Sequence, residues 1–179
     1  MPSAASDAPL FLVGSMGAGK SSVGERLAAL LARRFVDLDR LIEEWASEPI
    51  AQLFEAGREN DFRDLERGAL RGFDAKQTVV ATGGGTVTHS SNLEHMLARG
   101  TVVYLRADPA TLATRLAGAE RPLLVGHQDN HEARRARLAQ LLDERRASYE
   151  RAHHVLDTDA LTLDEVAQQI TRMLGVAHG

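Results

Sequence analysis

Gly14-Ser-Met-Gly-Ala-Gly19-Lys20-Ser21 matches the pattern G-x-x-x-x-G-K-[ST], and its flanks decide the fold. The apolar run Leu10-Phe-Leu-Val13 leads into it, and Val23, Leu27, Leu30 and Leu31 follow at helical spacing. That order is strand, glycine loop, helix. Such a loop turns the backbone N–H groups of Gly17, Ala18, Gly19, Lys20, Ser21 and Ser22 toward a polyphosphate, and the start of the helix adds the positive end of its dipole. The Lys20 ammonium reaches the β/γ oxygens, while the Ser21 hydroxyl is placed to ligate Mg²⁺. A glycine turn with a chance Lys-Ser has no reason to stand between an apolar strand and an amphipathic helix. The stretch implies a site for a nucleoside triphosphate with its magnesium.

Outward from the loop, apolar runs at Leu10–Val13, Phe35–Leu38, Thr78–Ala81, Val102–Leu105 and His154–Leu156 alternate with amphipathic segments. These segments lie at about 19–33, 39–57, 60–74, 90–99, 109–117, 131–152 and 162–174. The alternation predicts an α/β fold, a parallel five-stranded sheet sandwiched by helices. Ser90 and Thr162 read as helix N-caps, the latter with Glu165 in a capping box. One stretch breaks the pattern: Gly118-Ala-Glu-Arg-Pro-Leu-Leu-Val-Gly-His-Gln-Asp-Asn130. A loop this long inside a domain is a connector or a functional element. The need to exclude water from phosphoryl transfer favours a mobile lid at about 118–130.

Composition bounds the rest. A chain of 179 residues suits one domain, expected over 10–174 between short tails at 1–9 and 175–179. A net charge of −4 without any Lys/Arg block argues against a nucleic-acid partner. With no cysteine there is no disulfide framework, thiol nucleophile or Cys-based zinc site. No apolar run approaches the ~18 residues of a membrane span, and the first residues lack the basic and apolar regions of a secretory signal. The expectation is a cytoplasmic monomer acting on a small molecule, with no nucleic acid and no membrane.

Most phosphate-binding loops are served by an acidic residue at the end of another strand. Here Thr78-Val-Val-Ala81 runs into Thr82-Gly83-Gly84-Gly85, and the nearest carboxylates are those of Asp37-Leu38-Asp39. They lie at a strand's carboxyl end, where open parallel sheets bind ligands. One suits Mg²⁺ through water and the other an acceptor hydroxyl; alternatively, Asp39 caps the helix that follows. Arg145 falls on the Leu138, Leu141, Tyr149 stripe and points inward, and Arg63 borders the Phe62, Leu65, Ala69 stripe with Glu66 one turn on. Two inward arginines grip a carboxylate in bidentate fashion or close structural ion pairs, Arg63 with Glu66 being the obvious one. Gly83-Gly84-Gly85 lets the backbone approach a ligand, or makes a tight turn.

Taken together, Gly14–Ser21, Asp37-Leu-Asp39, Phe62-Arg63-Asp-Leu-Glu66, Thr82-Gly-Gly-Gly85, Arg121-Pro-Leu-Leu124 and Glu144-Arg145 with Tyr149 closely resemble shikimate kinases. The likeness runs from Leu10 to about Leu174. It implies a P-loop fold akin to nucleoside-monophosphate kinases, and transfer of the ATP γ-phosphoryl to the 3-hydroxyl of shikimate. By the resemblance, Asp39, Arg63, Gly83, Gly84, Gly85 and Arg145 hold the acceptor; Asp37 reaches Mg²⁺ through water and Ser21 directly. Arg121 is the lid arginine that, with Lys20 and Asp39, forms the catalytic set; Arg115 lies against adenine, with backbone near Asp157–Leu161. Where the family often carries Pro-Leu-Tyr, this chain reads Arg146-Ala-Ser-Tyr149, so Arg146 offers a competing register. Two other readings remain at this point: a kinase for another carboxylate such as gluconate, and a non-catalytic shikimate-sensing module.

Overall fold

Leu10–Val13 forms β1, and all four of its side chains are buried, as in a strand covered on both faces. The computed structural model describes residues 7–72, 75–117 and 130–175. The expected lid, with Arg121, and the tail residues 1–6 and 176–179 lie outside them. Strands β2 (Arg34–Asp37), β3 (Thr78–Ala81), β4 (Thr101–Arg106) and β5 (His154–Asp157) join β1 in one sheet of order β2-β3-β1-β4-β5. Every pairing is parallel. The central strands β1 and β3 are wholly buried, while the edge strands β2 and β5 are partly exposed. This is the layered α/β arrangement that the alternation predicts.

Among the described residues, eight helices cover the sheet: α1 (Lys20–Leu31), α2 (Leu38–Ala46), α3 (Ile50–Glu55), α4 (Glu59–Gly72), α5 (Ser90–Arg99), α6 (Pro109–Arg115), α7 (His131–Tyr149) and α8 (Leu163–Met173). On one face Leu27, Leu112, Ala167 and Ile170 from α1, α6 and α8 pack against Leu10 and Leu12. On the other Ile42, Leu53, Ala69 and Met96 from α2 to α5 pack against Phe11 and Val13. Helix α7 serves both, and Leu142 touches each core.

Three local expectations are corrected. The helix expected at 39–57 is two helices, because Ser47 turns left-handed at φ 56° and Pro49 starts a new one; proline disfavours helical geometry in the residue before it. The carboxyl of Glu43 accepts the freed Ile50 N–H at 3.0 Å. Ser90 is not a cap: His89 holds that position and makes no side-chain capping bond. The N-terminal tail is shorter than 1–9, since Asp7, Ala8 and Pro9 accept hydrogen bonds from Gln77, Arg33 and Thr101. Thr162 and Glu165 form the expected capping box, which holds the Glu165 carboxyl below its ordinary range.

The chain leaves β1 toward β2 on one side, and leaves β3 toward β4 on the other. The carboxyl ends of these neighbours are a topological switch point, where an open sheet leaves a crevice. Both glycine-rich turns begin there. Among the described residues no helix is long and apolar enough to cross a membrane.

Candidate active site

The loop after β1 is shaped by its glycines. Gly14, Gly17 and Gly19 have φ of 149°, 78° and 86°, a region that side-chain-bearing residues rarely enter. A Cβ on Gly14 would stand 2.7 Å from the Leu105 carbonyl oxygen, and one on Gly17 2.9 Å from Leu116 Cγ. Ala18 is buried and Ser22 exposed at the start of α1. Lys20 Nζ folds back along the loop, donating to the carbonyls of Gly14 and Ser15 at 2.8 Å each. The loop runs directly into the start of α1, whose positive dipole end suits a polyphosphate.

Ser21 Oγ donates to Asp37 Oδ2 at 2.5 Å. The other oxygen of Asp37 accepts the N–H groups of Asp39 and Arg40, so Asp37, and not Asp39, caps α2. Asp39 itself lines the neighbouring cavity. A hydroxyl and a carboxylate brought together beside the phosphate loop match the hard oxygen donors of Mg²⁺, which takes few protein ligands and completes its shell with phosphate and water. No cluster of three or more acidic or histidine side chains able to hold a metal exists among the described residues, and such a site needs none.

Next to the loop lies a cavity of about 540 Å³. Asp39, Arg63, Arg145, Gly83, Gly84 and Gly85 all line it, with Ser21 and Asp37 at the loop side. The three glycines fit three side chains. A Cβ on Gly83 would stand 2.8 Å from Asp39 Oδ1; on Gly84, 3.6 Å from Arg145 Nη1; on Gly85, 3.1 Å from both terminal nitrogens of Arg63. The triplet is therefore a bare floor against which all three polar groups are set.

The two arginines differ. Arg63 donates to Glu66 at 3.2 Å and to Glu59 at 3.3 Å, so the ion-pair reading and the cavity reading of this residue both hold. Arg145 is only 8% exposed, and its Nη1 is buried without a hydrogen-bond acceptor among the described residues. A guanidinium does not give up its proton, and a buried donor without a partner is costly. An anion entering the cavity supplies what is missing. Arg146 is 65% exposed and paired with Asp143, whereas Arg145 lines the cavity. Tyr149 stacks on Tyr104 with ring centroids 4.7 Å apart and donates its hydroxyl to the Gly84 carbonyl at 2.5 Å. Burial pushes its pKa up to about 12, although the nearby Arg145 opposes the shift.

A model of the shikimate kinase family matches residues 16–175. The chain belongs to the shikimate kinase family. It is 40% identical to shikimate kinase 2 of Yersinia pestis (strain Pestoides F) over 170 residues, which cover 90% of this chain and 95% of that one. The shikimate kinase of Acinetobacter baumannii solved in complex with shikimate is 35% identical, with a TM-score of 0.87 over 95% of this chain and 94% of that one. A gluconokinase of Sinorhizobium meliloti 1021 has a TM-score of 0.60 at 20% identity over 95% and 93%; that likeness shows the fold alone. Shikimate kinases use ATP with Mg²⁺, and the loop, Ser21 and Asp37 suit both.

Three cavity residues, Ile50, Ala51 and Phe54, belong to none of the motifs quoted from the sequence. They add apolar lining to the cavity, together with Phe62, whose ring lies under the Arg63 guanidinium at 4.9 Å. Ile50 and Phe54 stand one turn apart on α3, a helix that the sequence merges with α2. Glu66 is completely buried, which its place beside Arg63 does not disclose. Arg115 donates to the Thr158 carbonyl at 3.0 Å, near the stretch Asp157–Leu161 but outside the acceptor cavity.

Proposed function

We propose that the chain transfers the γ-phosphoryl of ATP to the 3-hydroxyl of shikimate, through the residues gathered at the switch point. The observation that carries this is the buried Arg145 Nη1 without a hydrogen-bond acceptor among the described residues, in a cavity that adjoins the phosphate loop. Its lining mixes charged groups, among them Asp39, Arg63 and Arg145, with the apolar side chains of Ile50, Ala51, Phe54 and Phe62. A hydroxylated ring with one carboxylate and a hydrocarbon edge satisfies both. An open-chain acid with a hydroxyl on every carbon, such as gluconate, would leave polar groups against these apolar side chains, where burial without hydrogen bonds is costly.

In phosphoryl transfer the protein mainly positions reactants and neutralises charge. A magnesium ion bound at the loop would offset negative charge on the phosphates. Ser21 and Asp37 are the residues that would hold it, Ser21 directly and Asp37 through water. The N–H groups of residues 17–22 hold the phosphates, and Lys20 neutralises charge on the group that moves. Asp39 orients the acceptor hydroxyl and accepts its proton late in the transfer, a task that needs no strong base. Arg63 and Arg145 fix the acceptor by its carboxylate. Arg115 supports the adenine, and Arg121, which lies outside the described residues, adds charge from the lid by family resemblance. The same reading takes the protein as a cytoplasmic monomer with a small-molecule partner, without nucleic acid or membrane; the acidic charge and lack of cysteine support it.

ADP release with ATP and Mg²⁺, measured with shikimate, gluconate or no acceptor, tests the assignment. Turnover with shikimate alone is expected. Turnover with gluconate alone would discard the acceptor, and shikimate binding without turnover would leave a sensor.

A further inference from the structure

Arg63 does not stand alone in the cavity wall, and the group that orients it is itself oriented. Its Nη1 donates to Glu66 Oε2 at 3.2 Å. The opposite oxygen, Oε1, accepts the Thr86 hydroxyl at 2.6 Å. Glu66 and Thr86 are both 0% exposed, so no bulk water can replace either bond. Thr86 is the first residue after the glycine triplet. Its N–H donates to the Gly83 carbonyl at 3.2 Å and its carbonyl accepts from Asn92 Nδ2 at 3.4 Å. Asn92 Oδ1 in turn accepts from Arg71 of α4 at 3.3 Å. The hydroxyl thus sits on a backbone turn pinned at both ends. A Cβ on Gly83 would come 3.2 Å from Thr86 Oγ1, 3.3 Å from Glu66 Oε1 and 2.8 Å from Asp39 Oδ1, so this bond lies directly behind the acceptor floor.

We infer that Thr86 is a positioning residue for the acceptor: its hydroxyl fixes the buried Glu66 carboxylate so that Oε2 faces Arg63, and thereby aims the Arg63 guanidinium into the cavity. The inference rests on the proposed function, because the aim matters only if Arg63 meets an acceptor carboxylate. A buried carboxylate oxygen deprived of its donor turns to find another, and Arg63 is its nearest cation. The guanidinium is then drawn toward Glu66 and away from the ligand. The effect belongs to acceptor binding and leaves the phosphate loop untouched.

The test compares Thr86→Val, which keeps the shape and removes the hydroxyl, with Thr86→Ser, which restores the hydroxyl. Shikimate affinity is measured by calorimetry without nucleotide, and kcat and both KM values by ADP release. In Thr86→Val, Kd and KM for shikimate should rise about tenfold, the scale of one lost buried hydrogen bond. KM for ATP should stay unchanged, and kcat at saturating shikimate within about threefold. Thr86→Ser should return shikimate affinity to within about threefold of the parent. Equal shikimate affinity in parent and Thr86→Val would overturn the inference, as would Thr86→Ser as weak as Thr86→Val, or equal losses toward ATP and shikimate. A parent protein that fails to bind shikimate would overturn the functional reading and this inference with it.

Discussion

The phosphate loop and the acceptor cavity share one crevice and are built from opposite materials. The loop is a single contiguous stretch whose work is done by backbone: glycines at positive φ, N–H groups and the end of α1. The cavity is lined mainly by side chains from separate parts of the chain, at residues 37–43, 50–54, 62–66 and 145, over the bare glycines 83–85 and beside Met16 and Ser21 of the loop. The difference teaches how each is held. Backbone geometry is fixed by local sequence, and it binds any ligand that carries the right phosphates. Side-chain geometry has to be fixed by further side chains, so Asp37 is tied to Ser21, Arg63 to Glu66, and Tyr149 to Gly84. In the proposed function, the cavity is where selectivity resides.

Three substitutions sharpen or break that contrast. Lys20→Met removes the loop's cation and should lower kcat by roughly 10²–10³, the usual scale for one preorganised charge, while leaving the shikimate Kd measured without nucleotide unchanged. A kcat within twofold of the parent would remove Lys20 from the transition state. Arg145→Ala should raise the shikimate KM by about 10–100-fold, as loss of a charged buried partner does, with KM for ATP intact. Equal damage to both substrates would mean that the two regions are one unit. Tyr149→Phe has the smallest expected effect, and pH reveals it. The folded-state pKa of Tyr149 is raised to about 12 from an ordinary value near 10, so the phenol favours the folded state fully below pH ~10 and loses that contribution as pH rises toward 12. Urea unfolding from pH 8 to 11 should show the gap between parent and Tyr149→Phe narrowing above about pH 10. A constant gap would contradict the shift.

The same contrast governs what the sequence discloses. Leu10–Val13 and Thr78–Ala81 are legible to the residue because central strands are continuous apolar runs. The interior strand β4 runs one residue past its apolar run at each end, β2 is shifted by one residue and β5 is longer by one, since backbone pairing continues onto polar residues that hydrophobicity does not mark. The phosphate loop is legible because its function is local. Arg145 is legible from the stripe ending in Tyr149, which the buried side chain bears out. The apolar lining is not legible. Ile50 and Phe54 face the cavity only because α3 is separated from α2 at Ser47–Pro49, and the amphipathic pattern runs across that break. Glu66 is hidden for another reason: its burial depends on Thr86, 20 positions away, and periodicity within one helix carries no trace of a partner on another element.

The central claim is that a carboxylate grip of Arg63 and Arg145 selects the acceptor beside a loop indifferent to it. The most direct measurement compares shikimate with its methyl ester, which keeps the ring and hydroxyls and removes the charge, at saturating ATP and Mg²⁺. The account predicts that kcat/KM falls about 100-fold for the ester in the parent protein, and that this preference shrinks to about tenfold or less in Arg145→Ala. Equal kcat/KM for acid and ester in the parent would contradict it.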